Sequence, residues 1–308
     1  MAKLSRRDFL KISAGAVLAS LLPKSLIFAE EKTAEISSPC LAVARGDKTK
    51  LVKAAVDALG GIDKFIKPGD RVCIKPNISF ASNVECGATT SAGVVKQMVE
   101  LCLDAGAAKV FLVDHTIQNT GLCIEKSKIE DAVIDKKKVA LVTLTKERQF
   151  TEVEIPQGKE LTSTKIAKIV NNVDKLINLP TAKSHSATGV SLGIKNLMGL
   201  VWDRGYFHHV NLHRAIAELA TVIKSDLTVL DATRALTTGG PSGPGKTVEL
   251  STVIAGTDPV AVDSYTVGIT TWYNKSFTGK SVKYIVAASK LGLGEIDPQK
   301  MEIKEIEV

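Results

Sequence analysis

Strand-like and helix-like stretches alternate from residue 40 to the end of the chain, and this alternation most narrows the folds open to it. CLAVAR (40–45), DRVCIKPN (70–77), AKVFLVD (108–114), KVALVTL (138–144), DKLINLP (174–180), DLTVLDA (226–232) and VELSTVIAG (248–256) are short apolar runs bounded by turn residues, as strands are. Between them, KTKLVKAAVDALGGIDKFI (48–66), residues 91–105, KSKIEDAVIDK (126–136), VSLGIKNLMGLV (190–201) and VNLHRAIAELATVIK (210–224) have helical spacing. Residues 259–271 and 281–291 predict two more helices, and KMEIKEIEV (300–308) a closing strand. The stretch 148–170 reads as a small β-hairpin insertion, FTEVEIP answering ELTSTKIAK. The pattern predicts an α/β fold with a mostly parallel or mixed sheet and helices on both faces.

The N-terminus is of another kind. SRRDFLK (5–11) sets Arg6 and Arg7 before Phe9, Leu10 and the apolar run AGAVLASLL (14–22), the pattern of a twin-arginine export signal. That run has nine residues, against about 20 for a bilayer span, so the segment reads as a signal removed after Ala29 rather than an anchor. No later stretch is long and apolar enough to span a membrane. Residues 1–29 are the signal peptide, 30–39 a polar linker and 40–308 a single α/β domain. The protein is expected in the periplasm or otherwise exported, with the twin-arginine machinery as its partner. That route carries folded proteins, often with an inserted cofactor.

Charge and cysteines exclude some functions. The chain carries +7, and the signal holds five basic residues against Asp8, so the remainder is +3 and evenly spread. This is too mild for nucleic acid. Aromatics at 5% leave little for stacking on sugars or bases. Five cysteines leave at least one unpaired, and none form a CxxC pair. Cys73 and Cys102 fall on apolar elements and read as small buried hydrophobes. Cys86 and Cys123 fall in predicted loops rich in Gly, Thr and Asn, where metal ligation, a disulfide and free thiols all stay open.

In open α/β sheets, ligands bind beyond the carboxyl ends of the strands. Four such ends here carry polar residues: Lys75 and Asn77; Asp114, His115 and Thr116; Thr181, Lys183, Ser184 and His185; Asp231, Thr233 and Arg234. Together they predict one shared cationic pocket. In 179–200, small polar residues lead into a predicted helix whose N-terminus would suit an anion. That helix sets Lys195 and Asn196 among apolar neighbours, costly for an ammonium unless it is paired or serves a ligand.

Four of the five histidines fall between His185 and His213, with His209 and His213 four apart, a spacing that can chelate a metal if a helix begins before 209. HEXXH is absent. TTGGPSGPGK (237–246) with Thr247 matches the letters of a phosphate-binding loop, but a strand rather than a helix follows. It reads as a rigid turn over the pocket. GTDPVAVDSY (256–265) starts a helix with Asp258 as N-cap and Pro259 first, Asp263 pointing inward or toward the site.

CIKPNIS (73–79), the Thr89–Thr90 helix entry, ELCLDAGAAKVFLVDHT (100–116), INLPTAKSHSATGVSLGIKNLMG (177–199), DATRALTTGGPSGPG (231–245) and GTDPVAVDSY (256–265) together resemble the domain of unknown function numbered 362. The resemblance covers nearly all of 40–290. It singles out Lys75, Asn77, Lys183, His185, Lys195, Asn196 and Asp231, with Thr90 at the matched helix entry. Some relatives carry a ferredoxin-like segment, implying iron–sulfur or redox company, and this chain lacks it.

Two functions follow as expectations. One is an exported enzyme or redox protein. Lys195, Lys183 and His185 would be its catalytic groups, and Lys75, Asn77, Asn196, Asp231 and Thr90 would bind a small anionic molecule. An iron–sulfur cluster or divalent metal on Cys86, Cys123, His209 and His213 is its open cofactor. The other is a non-catalytic binding or delivery protein for an anion or metal complex.

Overall fold

Ten strands join in one mixed sheet in the computed structural model, which describes residues 40–308; the signal at 1–29, its cleavage point and the linker at 30–39 lie outside the described residues. The chain runs β1 (Cys40–Arg45), α1 (Leu51–Ala58), β2 (Arg71–Pro76), α2 (Ala92–Asp104), β3 (Lys109–Asp114), α3 (Thr120–Ser127), β4 (Val139–Thr143), then β5 (Phe150–Glu154) and β6 (Ser163–Ala167). It continues β7 (Lys175–Leu179), β8 (Thr181–His185), β9 (Gly189–Ser191), α4 (Gly193–Asn196), α5 (Leu212–Val222), β10 (Leu227–Leu236), β11 (Thr247–Gly256) and α6 (Pro259–Gly268). A two-stranded ribbon, β12 (Thr271–Trp272) and β13 (Lys275–Ser276), precedes α7 (Lys283–Lys290) and β14 (Glu302–Glu307).

The sheet order is β14–β1–β11–β10–β7–β2–β3–β4, with β8 beside β10 and β9 beside β8. β11 runs antiparallel to both its neighbours, and β9 antiparallel to β8; the other pairs are parallel. The ends of β2, β3, β7 and β10 therefore share one edge.

Period-two alternation feeds two cores. Val72 and Ile74 of β2, with Val110 and Leu112 of β3, meet Leu51, Val56, Val95 and Met98 from α1 and α2 on one face. Cys73 and Val113 turn to the other face, toward Ile194, Ile216, Leu219, Val262 and Ile285 from α4 to α7. Burying each such side chain stabilises the fold by roughly 1.5–3 kcal/mol before entropy is counted. The expected α/β sheet with helices on both faces is thus observed, together with the small hairpin: β5 and β6 pair antiparallel. The hairpin's Phe150 joins His115 and Trp202 in an aromatic trio whose ring centroids lie 5.3–5.4 Å apart.

Three helices differ from expectation. The stretch 48–66 is α1 followed by a separate 3-10 turn, Ile62–Lys64, beyond Gly60 and Gly61. The stretch 126–136 is not one helix. Asn119 caps α3 by accepting the Leu122 N–H at 3.1 Å, and Lys128 stops it at φ 57°. A short 3-10 turn over Ile129–Ala132 follows. The stretch 190–201 gives one α-turn, with β9 before it and a 3-10 turn, Leu197–Leu200, after it. Strand pairing takes Val190 and Ser191 out of the helix. The tight turn brings the Gly199 backbone close to β2 and β3: a Cβ there would lie 2.2 Å from Asp114 Oδ1 and 2.7 Å from Lys75 Nζ. The loop 237–246 leads into β11, so its phosphate-loop lettering lacks the helix that such a loop needs.

Candidate active site

A buried polar network forms the floor at the ends of β2 and β3. Lys75 Nζ makes an ion pair of 3.0 Å with Asp114 Oδ1 and donates to Pro76 O at 2.5 Å and Asn196 Oδ1 at 3.1 Å. Asp114 Oδ2 accepts the Ile78 N–H, 2.8 Å, and the Ser79 hydroxyl, 3.2 Å. Burial pushes the Lys75 ammonium down and Asp114 opposes it. Asn196 is fixed at both ends: its amide donates to Lys75 O and to Asn178 Oδ1, and its oxygen also accepts from Asn77 Nδ2 at 3.0 Å. Asn77 in turn accepts from Lys183 Nζ at 3.0 Å, and Lys183 also donates to Ala88 O at 2.6 Å. One chain of hydrogen bonds thus runs from Asp114 through Lys75, Asn196 and Asn77 to Lys183.

The α4 turn is held from behind. Asp263 Oδ1 accepts the Gly193 N–H at 2.7 Å and Oδ2 the Ile194 N–H at 3.0 Å. The helix N-terminus expected to greet an anion is therefore filled by the protein's own carboxylate. Burial drives Asp263 up to about 7. Asp263 points inward, and what it positions is the turn bearing Lys195 and Asn196.

Above the floor opens a cleft of about 270 Å³. Lys183, Lys195, Arg204, His185 and His208 line it, with Asn77, Ser79, Phe80, Met198 and Pro241, and among the described residues no carboxylate does. The Lys183 ammonium sits 4.9 Å from the centre of the Phe80 ring. The Lys195 ammonium has no hydrogen bond or ion pair among the described residues. Clustered cations without counterions lose protons more easily than isolated ones. Burial, then Lys195, lower Lys183 to about 7. Burial, then Arg204, lower Lys195 to about 8. Burial, then Lys195 and Lys183, take His185 down to about 3. The His185 ring is thus neutral, and because Nδ1 accepts the Ala187 N–H at 3.1 Å, its proton sits on Nε2. The glycine-rich loop supplies one wall, tethered by Gly240 N–H to Ser184 Oγ, 3.0 Å, and by Ser82 Oγ to Ser242 O, 2.6 Å.

Residues 72–268 match the family described as Domain of unknown function (DUF362), and residues 3–23 match the twin-arginine translocation pathway signal sequence. The chain belongs to the DUF362 family. Its signal sends it out by the twin-arginine pathway. Among the described residues no helix is long and apolar enough to cross a membrane. The Thylakoid-associated protein sll1697 of Synechocystis sp. is 26% identical over 220 residues, which cover 69% of this chain and 66% of that protein. This chain thus spans just under two thirds of that relative's length. The lactate racemase apoprotein from Thermoanaerobacterium thermosaccharolyticum superposes with a TM-score of 0.47 at 13% identity, over 70% of this chain and 54% of that one.

Within this DUF362 member, Lys183, His185, Lys195, Asn77 and Asn196 line one cleft, and Lys75 lies directly beneath it. Two of the ligand-binding candidates do not line it. Thr90 Oγ1 accepts the Asn77 N–H and donates to Leu179 O, each at 2.8 Å, so it braces the backbone of Asn77. Asp231 is buried and accepts from Ser91 N at 2.7 Å and from Thr233 N and Oγ1, so it secures the start of α2.

The metal candidates are not gathered either. Among the described residues no group of three or more His, Cys, Asp or Glu side chains is arranged to hold a metal. Cys123 is buried in α3, not in a loop, and burial raises its thiol. Cys86 sits in a 3-10 turn after β2. α5 begins at Leu212, so His209 precedes it, His213 lies inside it, and they share no helical face. No disulfide forms among the five cysteines.

Three residues of the cleft and its support carry little signal in the sequence. Arg204 gave one signal, a lone cation just past the apolar run LMGLVW. Asn178 sits mid-strand, where its buried amide is silent until its partners Gly193 O and Asn196 appear. Phe80 looks like any loop aromatic.

Proposed function

We propose that this exported protein binds a small anion, a carboxylate or a phosphate ester, in the cleft and moves protons on it with Lys183 and Lys195. One observation carries the reading: the Lys195 ammonium faces a cleft shared with Lys183 and Arg204, and among the described residues no carboxylate lines that cleft. Gathering such charges is costly, and a bound anion removes the cost. The volume fits a small guest, being below the roughly 300–1,000 Å³ of pockets for drug-sized ligands.

The residues divide the work. Arg204, always charged, anchors the anion. Lys183, titrating near 7, and Lys195, near 8, sit where a group serves as acid or base at neutral pH. His185, neutral with its proton on Nε2, is a hydrogen-bond donor rather than a base. Asp114 pairs with Lys75, Lys75 holds Asn196, and Asn196 holds the Asn77 that accepts from Lys183.

An anion entering the cleft raises the lysine pKa values, so binding draws protons from the buffer. Calorimetry with acetate and inorganic phosphate at pH 8, in buffers of different ionisation heat, should show uptake of up to about one proton per anion. Absence of binding, or binding without proton uptake, refutes the reading. Once a turnover assay exists, Lys195→Ala separates its two halves. Loss of turnover even at saturating anion supports proton transfer, whereas weaker retention with no turnover in either protein marks a binding or delivery role.

A further inference from the structure

Lys195 differs from its neighbours in a way that proton transfer alone does not use. Lys75 is ion-paired to Asp114, and Lys183 gives hydrogen bonds to Asn77 and Ala88. Lys195 alone of these three amines has every valence of its nitrogen unclaimed among the described residues. It rises from a turn clamped by Asp263 and flanked by the fixed amide of Asn196, so its base is rigid while its tip is unengaged. An amine free of donors and acceptors, beside other cations in a shared cleft, is the arrangement in which lysine acts as a nucleophile toward carbonyl carbon.

We propose that Lys195 forms an imine with the carbonyl group of a small oxo acid, while Arg204 and Lys183 hold the acid's carboxylate. This rests on the anion-binding reading above and deepens it by naming the substrate class. The step balances without a further reactant. The neutral Lys195 amine attacks the carbonyl carbon, and a proton passes from nitrogen to the carbonyl oxygen. The resulting carbinolamine then loses water, and the second amine proton leaves with it. One C=N bond replaces one C=O bond and two N–H bonds. His185 Nε2–H is placed in the same cleft to donate to the departing oxygen. The imine is an electron sink next to a carboxylate, which makes the adjacent carbon acidic.

Imine trapping with glyoxylate and sodium cyanoborohydride tests this on the folded protein. At pH 7 an amine titrating near 8 is roughly one-tenth neutral, against less than about one in a thousand for an ordinary lysine. Peptide mapping should therefore find a single carboxymethyl group on Lys195, formed roughly a hundredfold faster than on surface lysines. Acetate or phosphate should slow its formation by competing for the cleft. Lys195→Arg keeps the charge and should abolish the adduct. Because the adduct is mapped on the unmodified sequence, a variant that fails to fold does not spoil the test. Adducts scattered over exposed lysines, or placed on Lys183, overturn the proposal. Acetate binding with proton uptake but no adduct sinks the imine and leaves the anion cleft standing; no anion binding sinks both.

Discussion

Of two clefts among the described residues, the larger is the quieter. A groove of about 600 Å³ lies beside α6, lined by Arg45, Tyr265, Lys280 and Asp297. Its cations are all engaged: Arg45 with Glu305 at 3.1 Å and Tyr265 at 3.2 Å, and Lys280 with Asp297 at 3.0 Å. Burial works against the Arg45 charge, yet the bonds to Tyr265 and Glu305 lift its pKa above the ordinary value. In the cleft of about 270 Å³ the balance runs the other way, and Lys195 falls to about 8. Size reflects how elements pack. Unengaged charge is what the proposed anion would answer.

The comparison breaks most visibly at the floor of the smaller cleft. Lys75→Met leaves Asp114 buried without its ammonium partner, and losing one member of a buried pair costs about 3–5 kcal/mol. Chemical denaturation should show that loss, and anion binding should disappear with the displaced Asn196. A variant of unchanged stability would mean that the floor carries no strain from its charges. Next in size is Lys195→Met. Anion affinity should fall by roughly 10–100-fold, each factor of ten being about 1.4 kcal/mol. The unliganded protein should melt higher, because a desolvated cation is gone. A lower melting point with unchanged affinity would show that Lys195 is engaged by the fold rather than reserved for a ligand.

Much of this was legible in the sequence, for reasons of local physics. Alternation of apolar runs gave the sheet, because strand and helix each impose their own period on buried residues. Parallel strands sharing an edge then made Lys75, Lys183 and Asn77 neighbours, although 108 positions separate the first two. What stayed hidden depends on three-dimensional saturation. Nothing local says that Asp231 and Thr90 have their hydrogen-bonding capacity taken by Ser91, Thr233, Asn77 and Leu179. Nothing local says that Asp263, 70 residues away, occupies the Gly193 N–H. The His209–His213 spacing misled because the helix starts three residues after His209, at Leu212.

The third effect is a slope. Lys183 and Lys195 titrate lower in the fold than the ordinary lysine value, so between about pH 7 and pH 10 the unfolded chain binds more protons than the empty protein. Stability of the unliganded protein should therefore rise with pH across that window. Anion affinity should fall across the same window, since the cations being lost are the ones that attract the ligand. Thermal melts with and without phosphate, taken from pH 6.5 to 9.5, should converge as pH rises; parallel curves would place the titrating groups elsewhere. Lys195→Met should flatten both trends.

The smallest effect belongs to the larger groove. Arg45 is about a third exposed and its partner Glu305 is more exposed still, so Arg45→Met should cost no more than about 1 kcal/mol. Anion affinity in the smaller cleft should stay within about twofold, and the pH slope above 7 should be untouched, because Arg45 faces none of the cleft lysines. Calorimetry and melts on the same two variants, Arg45→Met and Lys195→Met, thus set an engaged cation against an unengaged one. If the Arg45 variant changes anion binding as much as the Lys195 variant does, charge engagement is not what distinguishes the two clefts, and long-range field, rather than local pairing, governs where the anion goes.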